Sequence, residues 1–406
     1  MFRLDFTVAC EGTEPALVVF DGLHFETSEK RILERAKHLG PLEERIRTER
    51  YGRFLVPLHA PNVTPEQLAA YYAPLTEPPV SPHQPWGKPL AGGPIRALIL
   101  VTLSSEREVV ELAQRLDLDY DLVPLAMVVR YNPAVLEDIS RNKYDVIVTS
   151  QLSSWPQSQP ITDWIEEQVK QGTGWVAINT FGLFGRIQMA AKVTGYSDHT
   201  RWERAGPHWI TDPVEVLPRF STYKSVKTGR EANVLFASED RPKLSVFRHG
   251  NGRIVNMCSG QGHGRSSLLP SPVRHDHIRT HFDYWEHEYS LVARSIRWAA
   301  RREGSIRMKP AAPLQFARSE AFQATLRIVS DRPFRGTVLF RLLAADGAIG
   351  LDTVRSLDIG RDENADLVVE FPSGMVGGKH VLNVEVRDEQ GRSVDWAVGS
   401  ARSVIL

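Results

Sequence analysis

The residues best suited to chemistry lie in two short stretches of the chain. One is SGQGHG at 259–264, where His263 sits among glycines that let a ligand approach the backbone closely. An imidazole there could serve as general acid or base, or could orient a ligand; bracing the turn is its plainer job. Gln261 and Gly262 stand beside it. The other stretch is Asn179-Thr180-Phe181-Gly182, which follows the apolar run GWVAIN and offers an amide and a hydroxyl to a polar ligand. Past His263 comes a run of imidazoles and carboxylates: His275, Asp276, His277, His281 and Asp283. Such side chains can assemble a zinc or iron site, and on a helix His277 and His281 would share one face. No HExxH pattern accompanies them, and a solvated His-rich loop ahead of a helix accounts for the run more simply. Asp283 and Glu286 flank Tyr284 and Trp285. Carboxylates beside aromatic rings suit sugar binding, and paired acids could work on a glycosidic bond. Acids facing the dipole at a helix N-terminus are the plainer explanation.

Composition narrows the classes of partner. Lys+Arg and Asp+Glu both number 49, so the formal net charge is zero, which argues against a general nucleic-acid binder and leaves small polar ligands open. The two cysteines, Cys10 and Cys258, are far apart and have no CxxC spacing, so neither a disulfide framework nor a cysteine zinc site is legible. Cys258 ends a strand-like run and reads as a buried structural thiol rather than a nucleophile. Neither a P-loop nor a dinucleotide GxGxxG follows the first strand, and no cofactor is expected. No basic-then-apolar leader opens the chain, and no apolar run nears the ~18 residues of a membrane span. The expected location is cytoplasmic, with a small-molecule ligand, no nucleic acid, no membrane, and a homo-oligomer open as an option.

These residues need a frame. At 406 residues the chain is too long for one ordinary core. Residues 1–94 read as a small α+β segment that ends in a linker or surface strap rich in proline (Pro74, Pro78, Pro79, Pro82, Pro85, Pro89, Pro94). From 95 the pattern alternates strand and helix, as in a parallel sheet with crossovers: strands at 95–103, 120–125, 144–149 and 174–179, with helices at 105–116, 132–139 and 162–171. Short strands follow at 222–226, 232–237 and 244–248. The tetrapeptide HGNG then makes a hairpin into 253–257, and 289–302 is an amphipathic helix. Ligands of open α/β sheets bind outside the carboxyl ends of the strands, where Thr102, Ser104, Ser150, Gln151, Asn179, Thr180 and His263 should converge. Trp155, Trp202 and Trp209 are expected in loops near that rim, either as stacking platforms or as loop anchors. From about 309 the chain turns all-β, with strands at 321–329, 335–343, 367–371 and 380–387, the pattern of an immunoglobulin-like sandwich.

Four stretches also carry a family resemblance: RALILVT, YDVIVTS, GTGWVAIN and GNGRIVNMCSGQGHG, followed by FDYWEHEYSLVARSIRWAARRE. Through them, residues 95–303 resemble the class I glutamine amidotransferase-like superfamily, most closely its glutamine amidotransferase-like and trehalose-utilisation-type branch. The resemblance implies a flavodoxin-like fold. A working glutaminase of that superfamily has a Cys at the turn after the GWVAIN strand, and a His with a carboxylate two residues on after a later strand. Here the turn holds Asn179-Thr180-Phe181, and His263 is followed by Gly264 and Arg265. Both departures argue against glutamine hydrolysis.

The expected architecture is therefore an α/β chain in three parts: an N-terminal α+β segment with its Pro-rich linker (1–94), a flavodoxin-like amidotransferase-like domain (95–308) and an all-β immunoglobulin-like sandwich (309–406). The leading expectation is a protein without the Cys-His-Glu triad that binds or acts on a small polar ligand, carbohydrate first. His263 is the centre of that site, and Asn179, Thr180, Phe181, Gln261, Gly262, Asp283 and Glu286 are around the ligand. A non-catalytic assembly protein is the second reading. A metal-dependent hydrolase using His275, His277 and His281 is the third.

Overall fold

The computed structural model describes residues 53–54, 86–101, 106–124, 133–150, 152, 159–180, 182–189, 191–192, 196–213, 219–223, 226–227, 232–238, 241–258, 281–310, 315–317, 322–344, 349–371 and 378–404. The protein is mixed α/β, mostly strands, with one large mixed sheet and several smaller sheets. The large sheet is built from β1 (Arg53–Phe54), β2 (Ile95–Val101), β3 (Leu118–Pro124), β4 (Val146–Ser150), β5 (Gly174–Ile178), β6 (Glu203–Arg204), β7 (Asn233–Ser238), β8 (Arg241–His249) and β9 (Gly252–Met257). Their order across the sheet is β1-β3-β2-β4-β5-β9-β8-β7-β6. Pairing is parallel from β1 to β9 and antiparallel from there to β6.

The central strands β2, β4 and β5 are mostly apolar on both faces because both faces are covered. Ile95, Ala97, Ile99 and Val101 of β2 join one apolar cluster, and Leu98 and Leu100 join the other. The first cluster includes Leu112 of α1 (Glu106–Arg115) and Leu291, Val292 and Ile296 of α4 (His281–Ala299). The second includes Ile139 of α2 (Pro133–Ser140) and Ile161, Ile165 and Val169 of α3 (Gln159–Gln171). Helices thus lie on both faces of the sheet. The HGNG hairpin forms as its residues suggest. His249 pairs with Gly252, and Gly250 at φ 56 takes the first loop position, as a type II′ turn requires.

The C-terminal region holds β10 (Ile306–Pro310), β11 (Gln315–Ala317), β12 (Phe322–Ser330), β13 (Phe334–Ala344), β14 (Ile349–Ile359), β15 (Asn364–Phe371), β16 (Gly378–Asp388) and β17 (Ser393–Val404). One sheet runs β10-β12-β15 and the other β11-β17-β16-β13-β14. β14 and β17 escape the sequence reading because charged and small residues break their apolar pattern: Asp352, Arg355 and Asp358 in one, Ser393, Asp395 and Gly399 in the other.

Two features depart from expectation. Helix α4 begins at His281, not near Tyr289, since no Pro or Gly interrupts 281–299 and its early acids suit a helix start. The end of the Pro-rich segment is not a surface strap. Trp86 and Leu90 are buried, and Trp86 stacks on Trp396 of β17 at 6.0 Å between ring centroids. Trp86 Nε1 donates to Asn383 Oδ1 at 2.9 Å, Ser393 N to Pro89 O at 2.8 Å, and Ala91 N to Ser393 O at 2.8 Å. Proline supplies no donor, but its neighbours do, and that suffices for a strand-like edge contact.

Candidate functional site

The carboxyl ends of β4, β5 and β9 form a single crest. Met257 pairs with Ile178, and Asn179 N donates to Met257 O at 2.8 Å, so the turn after β5 lies against the end of β9. Asn179 has φ 50, a left-handed backbone that costs a residue with a Cβ free energy and that Asn tolerates better than most. It is 3% exposed. Thr180 is buried; its hydroxyl donates to Ile178 O at 3.2 Å and stands 3.3 Å from that of Thr149. Trp175 Nε1 donates to Thr149 Oγ1 at 2.9 Å. Asn256 Nδ2 donates to Ala177 O and Thr180 O, each at 3.3 Å, and fastens the turn to β9. Ser150, at the end of β4, is also buried.

Cys258 closes β9. Its N donates to Lys243 O at 2.7 Å, and burial pushes its thiol up to about 12, against a smaller opposing effect of Lys243. A thiol so held stays protonated near neutral pH and is not a nucleophile. Of the other sequence candidates, Phe181, Gln261, Gly262, His263, His275 and His277 lie outside the described residues, as do Thr102, Ser104, Gln151, Trp155 and Cys10. His281, Asp283 and Glu286 lie in the first turns of α4. Among the described residues no group of three or more His, Cys, Asp and Glu is arranged to hold a metal ion. No helix among them is long and apolar enough to cross a membrane.

Trp202 and Trp209 do not rim the crest. Trp202 is buried against Phe236, with ring centroids 6.2 Å apart. Trp209 is buried beneath Arg294 and Arg297, whose guanidinium carbons lie 3.9 and 5.1 Å from its ring centroid. It belongs instead to a cleft near the amino ends of β5 and β9, at the end of α4 that meets the C-terminal sheets. This cleft has a volume of about 610 Å³ and is lined by residues of 207–209, 298, 303–305, 307 and 331–332. The His208 and Trp298 rings meet edge to face at 5.2 Å. Burial holds the His208 imidazole below its usual range, while Asp212 and Glu303 oppose that shift. Arg253 lies over Trp298 at 5.0 Å, donates to Trp298 O at 2.8 Å and pairs with Glu303. No sequence motif joins these residues, which come from segments far apart in the chain.

No family model matches the chain, and no curated protein matches it. Among solved structures, it is similar to a cytoplasmic protein of Salmonella typhimurium LT2 at 14% identity and a TM-score of 0.38, covering 50% of this chain and 99% of that one. A second cytoplasmic protein of Salmonella typhimurium gives 15% identity and 0.37, covering 50% and 98%. The CARDB domain of a Pyrococcus furiosus protein gives 13% and 0.22, covering 26% and 98%. Likenesses of this size assign neither a fold nor an activity.

Proposed function

We propose that the protein is an amidotransferase-like ligand binder without glutaminase chemistry. Residues 95–308 form a flavodoxin-like domain and 309–406 an immunoglobulin-like sandwich. The ligand is a small polar molecule, a carbohydrate first, held where β5 and β9 end. The observation that carries this reading is Asn179. A left-handed, non-glycine residue stands at the head of a central parallel strand, in hydrogen-bond contact with the strand that leads to His263. Backbone strain of that kind concentrates at functional turns, and carboxyl strand ends are where such sheets bind ligands. The strand order β3-β2-β4-β5-β9 supports the flavodoxin-like reading, since it is the 2-1-3-4-5 order when counted in sequence. The buried, protonated Cys258 and the lack of a carboxylate after His263 argue against amide hydrolysis. In this reading Asn179 and Thr180 orient the ligand, with His263, Gln261 and Gly262 as its further contacts.

Thermal unfolding against a sugar panel tests the reading. A ligand at a hundred times its Kd adds about 2.7 kcal/mol to the folded state, enough to move Tm by several degrees. At least one sugar should raise Tm, and Asn179→Gly and His263→Ala should remove that rise without lowering the unliganded Tm. A panel that leaves Tm unmoved, or a shift unaffected by both variants, overturns it.

A further inference from the structure

The cleft beside Trp298 lies at the opposite end of α4 from the crest, and nothing in the proposed function uses it. Its walls come from three parts of the chain: the turn after β6 (Pro207, His208, Trp209), the end of α4 with the link to β10 (Trp298, Glu303, Arg307), and the turn between β12 and β13 (Asp331, Arg332). Its lining combines the rings of His208, Trp209 and Trp298 with the charged Glu303, Arg307, Asp331 and Arg332. Its volume, about 610 Å³, is that of a small-molecule site.

The charged lining residues are two of each sign, but they are not equally available. Glu303 is taken by Arg253, which also packs over Trp298. Arg307 and Arg332 have no ion pair among the described residues, although other arginines of the same β region are paired, such as Arg327 with Asp366 and Arg335 with Asp358. Asp331 remains as the one lining carboxylate without an ion-pair partner among those residues. Two free guanidiniums against one free carboxylate favour an anionic group, and guanidinium matches the geometry of phosphate and carboxylate. The spare carboxylate suits hydroxyl donors on the same molecule. The backbone behind the walls is also tied together. Arg297 holds Arg302 O at 3.1 Å, Asp331 N donates to Ser305 O at 3.3 Å, and Ser330 Oγ donates to Arg332 O at 2.6 Å. That limits the backbone ordering left to binding, while the exposed Arg307 and Arg332 side chains are ordered by the ligand.

We infer that this cleft binds a small hydroxylated molecule carrying phosphate or carboxylate, with Arg307 and Arg332 on the anion and Asp331 on its hydroxyls.

Calorimetric titration at low salt tests this with four probes: glucose 6-phosphate, glucuronate, inorganic phosphate and glucose. Glucose 6-phosphate or glucuronate should bind saturably, and which of the two binds tighter identifies the anion. Inorganic phosphate alone should bind more weakly, and any heat from glucose should be the same in the Arg307→Ala/Arg332→Ala double variant. Arg307→Ala and Arg332→Ala should each weaken binding by roughly tenfold, the loss expected for one charge-assisted contact. Arg355→Ala, on the exposed edge of β14, should leave it unchanged. All these arginines are exposed, so the variants should fold, which circular dichroism would check. Absence of saturable heat from both charged sugars, or equal affinity in the Arg307→Ala/Arg332→Ala double variant, overturns the inference.

Discussion

At the residue scale, Asn179 and His208 make separable demands. Asn179 occupies a left-handed backbone for which glycine is the relaxed choice and a β-branched residue a poor one. Asn179→Val should cost about 1–3 kcal/mol in urea unfolding, and Asn179→Gly should cost little or none. Equal losses in the two variants would mean that the side chain, not the dihedral, holds the turn. His208 carries a pH signature. Its folded-state pKa is lowered by burial, so below the unfolded value of about 6.5 the unfolded chain binds more protons at this position. The contribution is whole above that pH and is lost as the pH falls through 6.5 toward the folded pKa. Wild-type stability should therefore decline more steeply between pH 7 and 5 than that of His208→Gln, as measured by urea midpoints. The turn at Asn179 was readable in the sequence because an apolar run ending in small polar residues marks a strand end. His208 was not, because its environment is made by Trp298 and Arg253, and no spacing rule links 208 to 253 and 298.

At the element scale, α4 is joined to β17 by buried charged groups. Arg294 and Arg297 are fully buried. Arg294 pairs with Asp395 and donates to Ile210 O at 3.1 Å and Trp396 O at 3.1 Å. Arg297 donates to Val394 O at 2.7 Å and lies 3.6 Å from Asp395 Oδ1. Burial pulls the Arg297 guanidinium down to about 10, so it stays charged at neutral pH but depends on its carboxylate. Asp395→Ala leaves two buried cations without their counterion and should cost about 3–5 kcal/mol in denaturant unfolding. A loss under 1 kcal/mol would mean that water or backbone carbonyls suffice. Gly174 makes a second joint: a Cβ there would stand 2.4 Å from Ala299 O, so Gly174→Ala should lower stability by about 1–3 kcal/mol. Most strands and helices between 95 and 258 were legible because the central parallel strands are mostly apolar and the helices between them are amphipathic. The joints were not. No spacing links Arg294 and Arg297 to Asp395, about a hundred positions on, so the pairing exists only once the two elements meet.

At the scale of the whole molecule, the two β regions share one apolar cluster that runs from β2 and α4 through Trp86 to Phe340 and Trp396. A continuous cluster of this kind couples the parts. Scanning calorimetry should therefore give one cooperative transition, with a calorimetric enthalpy equal to the van't Hoff value. Two resolved transitions would mean that the halves unfold independently despite the shared contacts. The alternation of α/β and all-β halves could be read from the sequence. Their close union could not, because it depends on the buried Arg294–Asp395 joint and on a proline-rich segment whose apolar residues have no periodicity of their own.

That segment also sets a schedule for biosynthesis. Trp86 and its partner Asn383 are 297 positions apart. At ribosomal speeds of about 5–20 residues per second, the indole waits roughly 15–60 s before its acceptor has even been made. Until then the greasy clasp lies open on a half-finished chain, and that interval is when a nascent-chain chaperone would find it.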